Sequence, residues 1–454
     1  MKYLFGFILC CLVTGLSATE QYRFRVYLKD KGDGGFRIDQ PEKFLSRQAI
    51  ERRLRQNIAI TPTDFPISPT YIEKLASAGV RPVVQSKWFA TVVVESADSM
   101  VIERLQKLSI VDSVQWVWKG ELKQPAEDSD KEQLAPSDQP LKEPYGYAYE
   151  QIRMLNGVKL HKSGFRGAGM RVAVIDAGFR HVNRMKVFDS LQLLGTYNVV
   201  FPGKSVFGDD EHGTKVLSCL AANLPGVMIG TAPEASYLLL KSEDSHSEYP
   251  IEEDYWTAAV EYADSVGVDV ISSSLGYFEF DAQELSYRQT DLNGQTALIS
   301  RAAKMVAERG ILLFCSAGNE GNSSWEKITF PADAEQVCTV GAIDKKKKKS
   351  VFSSTGLTAD GRIKPDVVAL GTGSCVTGPD GNIQYASGTS FATPILAGLG
   401  VCLWQALPWL DSQSILNLLR RYSSQYKHPD GTLGYGIPDV YKAYKKGRKH
   451  AGKR

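Results

Sequence analysis

Arg171-Val172-Ala173-Val174-Ile175, followed at once by Asp176-Ala177-Gly178, is the stretch that decides the fold. A short, branched apolar run reads as a strand buried on both faces, as in the middle of a parallel sheet. Residues 268–271 (Val-Asp-Val-Ile) and 311–314 (Ile-Leu-Leu-Phe) read the same way. Helix-period apolar positions over residues 251–266 and 297–309 fall between these strands. Strands alternating with helices predict an α/β domain with a mostly parallel sheet, whose ligands bind beyond the carboxyl ends of the strands. Asp176 stands at such an end.

Working outward toward the N-terminus, residues 120–145 change composition: Pro125, Pro136, Pro140 and Pro144 sit among Glu, Asp, Lys and Ser. That is the signature of a solvated linker open to proteolysis. Before it, residues 22–27, 91–94 and 111–118 are rich in β-branched and aromatic residues and read as strands. Residues 42–55 and 100–108 carry helix-period apolar positions, so a compact α+β unit of about 100 residues is expected. At the very start, Lys2, an apolar run over residues 5–13 and Gly15-Leu16-Ser17 read as a signal peptide cut near Ser17 or Ala18. The chain thus divides into a signal peptide (1–18), an α+β unit (19–120), a linker (121–145), an α/β domain (146–445) and a basic tail (446–454). Export to the periplasm or the medium, without stable membrane insertion, is the expectation.

Composition narrows the function. Lys and Arg total 53 against 51 Asp and Glu, a formal charge of +2, so nothing draws the whole chain to nucleic acid. The lysine run at residues 345–349 reads as a solvated hairpin loop. Five cysteines follow the signal (Cys219, Cys315, Cys338, Cys375, Cys402), an odd number with no CxxC pair, so they are expected to be buried thiols. The histidines show no HExxH spacing, and no metal site is expected in the chemistry. Function must therefore come from a local constellation of side chains.

Three segments supply one. Asp176 ends the first strand; His212 lies in Glu211-His212-Gly213-Thr214 ahead of a helical run; Ser390 lies in Ser387-Gly388-Thr389-Ser390-Phe391-Ala392-Thr393-Pro394 ahead of an apolar helix over residues 395–406. Taken singly, each has a plainer reading as a cap or a turn residue. Taken together they give acid, base and nucleophile in the order Asp, His, Ser, unlike the order in chymotrypsin-like enzymes or α/β-hydrolases. A serine hydroxyl needs an imidazole to take its proton, and the imidazole needs a carboxylate to fix its tautomer. The segments resemble the three signatures of the subtilisin-like (S8) serine proteases, across the whole domain after the linker, with Ala177 in place of the usual Ser or Thr.

The resemblance implies more. Ser316-Ala317-Gly318-Asn319-Glu320-Gly321 resembles the oxyanion segment of that family, with the Asn319 side chain as a donor beside the Ser390 amide. Ser274-Leu275-Gly276 resembles the edge that pairs with an extended substrate, with Ser316, Ala317 and Gly318 as the opposite wall. Residues 19–120 resemble a pro-region loosely, which implies an intramolecular inhibitor, peptide or protein substrates, and self-cleavage between about residues 123 and 144. Calcium is often structural in such proteins; Asp291-Leu292-Asn293-Gly294 offers oxygen atoms but an incomplete ligand set. The acids Asp209-Asp210-Glu211, just before His212, read as a solvated loop or as a preference for a basic residue upstream of cleavage. Three functions stay open at this level: an exported endopeptidase, a transpeptidase using the same acyl-enzyme, and a catalytically silent binding module.

Overall fold

A computed structural model describes residues 20–121, 123 and 131–451; the signal segment and its cleavage point lie outside the described residues. The N-terminal unit comprises β1 (Gln21–Leu28), α1 (Arg47–Arg55), α2 (Pro69–Ser77), β2 (Arg81–Ser86), β3 (Thr91–Ser96), α3 (Val101–Gln106) and β4 (Val111–Gly120). Its four strands form an antiparallel sheet in the order β2-β3-β1-β4. The helix expected over residues 42–55 begins instead at Arg47. Ser46 caps it by accepting from the Ala49 amide at 3.2 Å, while Pro41–Lys43 makes a separate 3₁₀ turn.

The larger unit runs α4 (Tyr149–Arg153), α5 (Gly157–Lys162), β5 (Arg171–Asp176), β6 (Gln192–Asn198), α6 (His212–Ala221), the two-residue strands β7 (Asn223–Leu224) and β8 (Met228–Ile229), and β9 (Ser236–Lys241). It continues through α7 (Ile251–Val266), β10 (Val270–Ser273), α8 (Leu298–Glu308), β11 (Leu312–Ser316), β12 (Cys338–Ile343) and β13 (Val367–Leu370). The hairpin β14 (Ser374–Thr377) and β15 (Ile383–Ala386), then α9 (Thr389–Ala406), α10 (Ser412–Arg421) and α11 (Val440–Ala451), complete it.

Seven strands form one sheet in the order β13-β12-β11-β10-β5-β9-β6, every neighbouring pair parallel. The chain lays down β6 and β9 on one side of β5, then crosses to β10 on the other. Strand order reverses at β5, and the crevice beyond its carboxyl end is where such sheets place ligands. Two apolar layers cover the faces: α6 and α9 on one, α7 and α8 on the other. The five cysteines are buried free thiols in and beside these layers.

The N-terminal unit sits on α7. Trp88, Val93, Val117 and Trp118 join the same apolar cluster as Ile251, Tyr255 and Trp256. Dry ion pairs frame that contact: Arg25 to Asp254 at 2.6 Å, and Arg53 to Asp264 at 2.7 Å and to Asp64 at 2.8 Å, with Arg52 also on Asp264. Glu261 of α7 accepts from the Lys87 and Trp88 amides at 2.8 and 3.0 Å, capping the turn between β2 and β3. The second half of the expected linker is not a free solvated strand. Leu134 exchanges backbone bonds with Arg184 and Lys186, and Leu141 donates to the Gly226 carbonyl. Its polar composition gave no sign of this, because main-chain atoms make most of these ties.

Candidate active site

The site grows from strand ends. Asp176 closes β5 and is fully buried; its Oδ1 accepts from the Ala177 amide at 2.9 Å and from His212 Nδ1 at 2.6 Å. His212 opens α6, and its own amide donates to Asp210 Oδ1 at 2.7 Å. That helix can lie so close to β5 only because residue 213 is glycine: a Cβ there would stand 2.3 Å from the Gly178 carbonyl oxygen. Burial pushes the imidazole toward the neutral form, yet the Asp176 charge and hydrogen bond, with Glu243 and Asp210, outweigh it. The result is a His212 pKa raised to about 9.

Ser390 belongs to α9, which starts at Thr389 rather than at residue 395, so the serine lies in its first turn. Pro394 is therefore well inside the helix, where it lacks the N–H that would meet the Ser390 carbonyl. Ser274 Oγ donates to that carbonyl at 2.9 Å, while Ser390 Oγ donates to the Ser274 carbonyl at 3.3 Å. The hydroxyl thus rests on Ser274 in this structure. His212 stands beside the same helix, its ring 5.9 Å from the Phe391 ring.

Asn319 follows β11. Its Oδ1 accepts from the Thr389 amide at 2.9 Å and from Thr389 Oγ1 at 3.0 Å. With the oxygen so occupied, the amide nitrogen is left as the donor beside the serine. One cleft of about 310 Å³ gathers His212, Ser274, Leu275, Gly276, Ser316, Gly318, Asn319 and Ser390. Ala317 is not part of its lining: the Ala317 amide and carbonyl are taken by Val340 and Thr329, which puts the residue behind the wall. The pocket between the two walls is shaped by Gly276, where a Cβ would meet Thr329 Oγ1 at 2.2 Å.

Sequence reasoning missed Glu243, Phe278 and Thr329, which line this cleft, and gave Glu320, at the end of the oxyanion segment, no role there. Each comes from a loop after a strand or from the segment behind residue 277, where no periodic pattern points inward. Phe278 carried one weak signal, an aromatic residue two positions after Gly276; it stacks on Trp325 at 4.6 Å between ring centroids. The acids before His212 are largely committed elsewhere. Asp209 pairs with Lys241 at 3.2 Å, Asp210 holds the His212 amide and Ser245, and Glu211 pairs with Lys215. In the 291–294 loop, Asp291 accepts from the Arg288 amide and Asn293 from the amides of Gln295 and Thr296. These bonds engage Asp291 Oδ2 and Asn293 Oδ1, and among the described residues no three His, Cys, Asp or Glu side chains converge on a metal position.

A hydroxyl, an imidazole on a buried carboxylate and a side-chain amide, all opening into one cleft at the switch point of a parallel sheet, define the class as a serine peptidase. Comparison with known proteins agrees. The subtilase (peptidase S8) family signature matches residues 167–436, and the peptidase S8 propeptide domain of Bacteroidota matches residues 23–158. Subtilisin DY of Bacillus licheniformis is 31% identical over 283 residues, covering 61% of this chain and 89% of that protein. Subtilisin E of Bacillus subtilis is 32% identical over 276 residues, covering 60% of this chain and 63% of the relative. Subtilisin of Bacillus pumilus is 31% identical over 276 residues, 60% and 88% of the two chains. The chain belongs to the subtilase family: it is a serine endopeptidase carrying an S8 propeptide domain ahead of the peptidase domain.

Proposed function

We propose that the protein is an exported, self-processing zymogen that hydrolyses peptide bonds through an acyl-enzyme at Ser390. A turn of the Ser390 side chain brings its hydroxyl from the Ser274 carbonyl to His212 Nε2, the ring nitrogen left over when Nδ1 donates to Asp176. The hydroxyl proton passes to Nε2 as Oγ bonds to the substrate carbonyl carbon. The oxyanion so formed takes hydrogen bonds from the Asn319 amide and the Ser390 backbone N–H. Collapse breaks the C–N bond, and Nε2 returns the proton to the departing amine. Water then repeats the sequence to release the acid and restore Ser390. Apart from that water and the substrate, every step uses groups of the chain itself.

The observation that carries this reading is the 2.6 Å contact between His212 Nδ1 and Asp176 Oδ1, in the cleft that also holds Ser390 and Asn319. The substrate main chain is proposed to add as a strand along Ser274-Leu275-Gly276. The N-terminal unit is proposed to act as an intramolecular inhibitor until the linker is cut. Because Leu134 onward is fastened to the peptidase domain, the cut is placed between about residue 123 and Gln133. Export by removal of residues 1–18 rests on the sequence of that segment alone. A fluorophosphonate probe tests the nucleophile: it is expected to label the wild type and not Ser390→Ala. Equal labelling of both proteins would refute the assignment.

A further inference from the structure

The space between the Gly276 and Gly318 walls of the cleft is partly filled by one side chain, that of Thr329. A Cβ built on Gly276 would stand 2.2 Å from Thr329 Oγ1; one built on Gly318 would stand 2.8 Å from its Cγ2 and 3.0 Å from its Oγ1. A single threonine thus stands against both walls at once. Its segment is fastened to each of them. The Thr329 amide donates to the Ala317 carbonyl at 3.1 Å, and Phe330 and Tyr277 exchange two main-chain bonds of 3.0 Å. Trp325, stacked on Phe278 of the cleft lining, holds the same segment by donating from Nε1 to the Ile328 carbonyl at 3.0 Å. Thr329 is 3% exposed, and its hydroxyl has no hydrogen-bond partner among the described residues. An unpaired buried hydroxyl is a cost to the fold, so no hydrogen bond accounts for a threonine at this place.

We propose that Thr329 is the floor of the pocket for the residue before the scissile bond and restricts that residue to short, uncharged side chains, alanine and serine above all. The inference rests on the acyl-enzyme reading and the substrate alignment proposed above. The carbonyl that Ser390 attacks belongs to this substrate residue, and the oxyanion donor Asn319 directly follows Gly318. A substrate strand laid along Ser274-Leu275-Gly276 with its carbonyl at Asn319 therefore turns this side chain between the two walls, onto Thr329.

Close packing makes the selection. Packed walls accept extra methylene groups only by forcing side chains off their rotamers or moving backbone. Here both walls are main chain at a glycine, and the floor is bonded to each. A leucine or phenylalanine side chain enters only by expelling Thr329 or parting the walls, whereas a methyl or hydroxymethyl group stops short of it. Differences of one methylene in such a pocket are worth about 10- to 200-fold in kcat/KM. Because the hydroxyl is unpaired, valine at this position would keep the shape of the floor and lose no hydrogen bond. Bulk and polarity at residue 329 are thereby separable.

A fluorogenic peptide library varied only at the residue before the scissile bond tests this with the full-length enzyme after self-processing. The wild type is expected to cleave alanine and serine peptides with kcat/KM at least about tenfold above leucine and phenylalanine peptides. Thr329→Gly is expected to bring that ratio to about one or below, and Thr329→Val to keep it. Thr329→Ser, which removes one methyl group, is expected to lower the ratio part of the way and serves where Thr329→Gly does not fold. A wild-type profile led by leucine or phenylalanine overturns the proposal, as does a ratio that Thr329→Ser leaves unmoved or Thr329→Val abolishes. A profile led by lysine also overturns it and would hand the selection to the Glu320 carboxylate of the cleft. Fluorophosphonate labelling separates the two levels: a labelled enzyme with the wrong profile fails here alone, whereas an unlabelled one fails at the nucleophile.

Discussion

Ser274 and Ser390 exchange hydrogen bonds in both directions, hydroxyl of each to carbonyl of the other, at 2.9 and 3.3 Å. The exchange exists because Pro394 removes the helical donor that Ser390 would otherwise have. A residue of the substrate-facing edge thereby completes the helix that carries the nucleophile. Ser274→Ala leaves a buried carbonyl without a donor, at a cost of about 1–3 kcal/mol. In the inactive Ser390→Ala background, where self-digestion cannot interfere, urea unfolding of the full chain is expected to show that loss; an unchanged midpoint would contradict it.

Asn319 keeps its nitrogen for the chemistry while its oxygen accepts from Thr389, so replacing it removes the oxyanion donor and also an acceptor at the start of α9. Asn319→Ala is expected to lower kcat by about 100- to 1,000-fold, the size found for loss of such a donor in subtilisin itself, with little change in KM. Steady-state kinetics on a short peptide reads the split. A rise in KM with kcat preserved would remove the side chain from the transition state.

His212 must lose its proton to act as a base, and its pKa stands raised to about 9 rather than near 6.5. The acidic limb of kcat/KM against pH is therefore expected on the alkaline side, with activity falling as pH drops through it. Glu243 contributes to that elevation and is itself ionised only above about 7. Glu243→Gln removes a negative charge near the imidazolium, so the limb should shift toward lower pH. A limb that does not move in the variant would show that Asp176 and Asp210 set it without Glu243.

At the foot of the substrate pocket, Gly276→Ala would place a methyl group against Thr329 Oγ1. Cleavage after large side chains is expected to fall more than cleavage after alanine, read as a change in the ratio of kcat/KM. A uniform loss across substrates would point instead to a displaced edge.

Asp264 of α7 holds Arg52 and Arg53 of the N-terminal unit. Burial alone would raise its pKa, but the two guanidinium groups and Lys87 hold it below its ordinary value of 3.8. A depressed value in the folded state means the tie is fully present at neutral pH and is lost as pH falls below about 4. In Ser390→Ala protein, Asp264→Asn is expected to lower the melting temperature at pH 7 and to flatten its decline in acid. Parallel pH curves for the two proteins would assign the acid sensitivity to other groups.

How much of this was visible in the residues alone depends on what each signal measures. Helix α7 was legible to its first and last residue, because its apolar period is uninterrupted and Gly267 ends it at a φ of 87°. The strand before Asp176 and the segments around His212 and Ser390 were equally plain, since each joins a buried strand or helix to an abrupt polar turn. The start of α9 was misplaced because a proline usually marks a helix entrance, and only the distant Ser274 hydroxyl lets this one sit inside. Strands β6, β9 and β12 drew no notice, their pattern being too short to separate from buried helix. Glu243 was equally silent: in the sequence it is an acid in a polar run before a helix, and only folding brings it to the cleft.

The arginines that bind the N-terminal unit to α7 are dry, and that sets the manner of its departure. Brine screens charges that water can reach and leaves a desolvated contact nearly untouched. A severed inhibitor would consequently stay seated at high ionic strength, and liberation of the enzyme would await digestion of the bound fragment rather than its simple dilution.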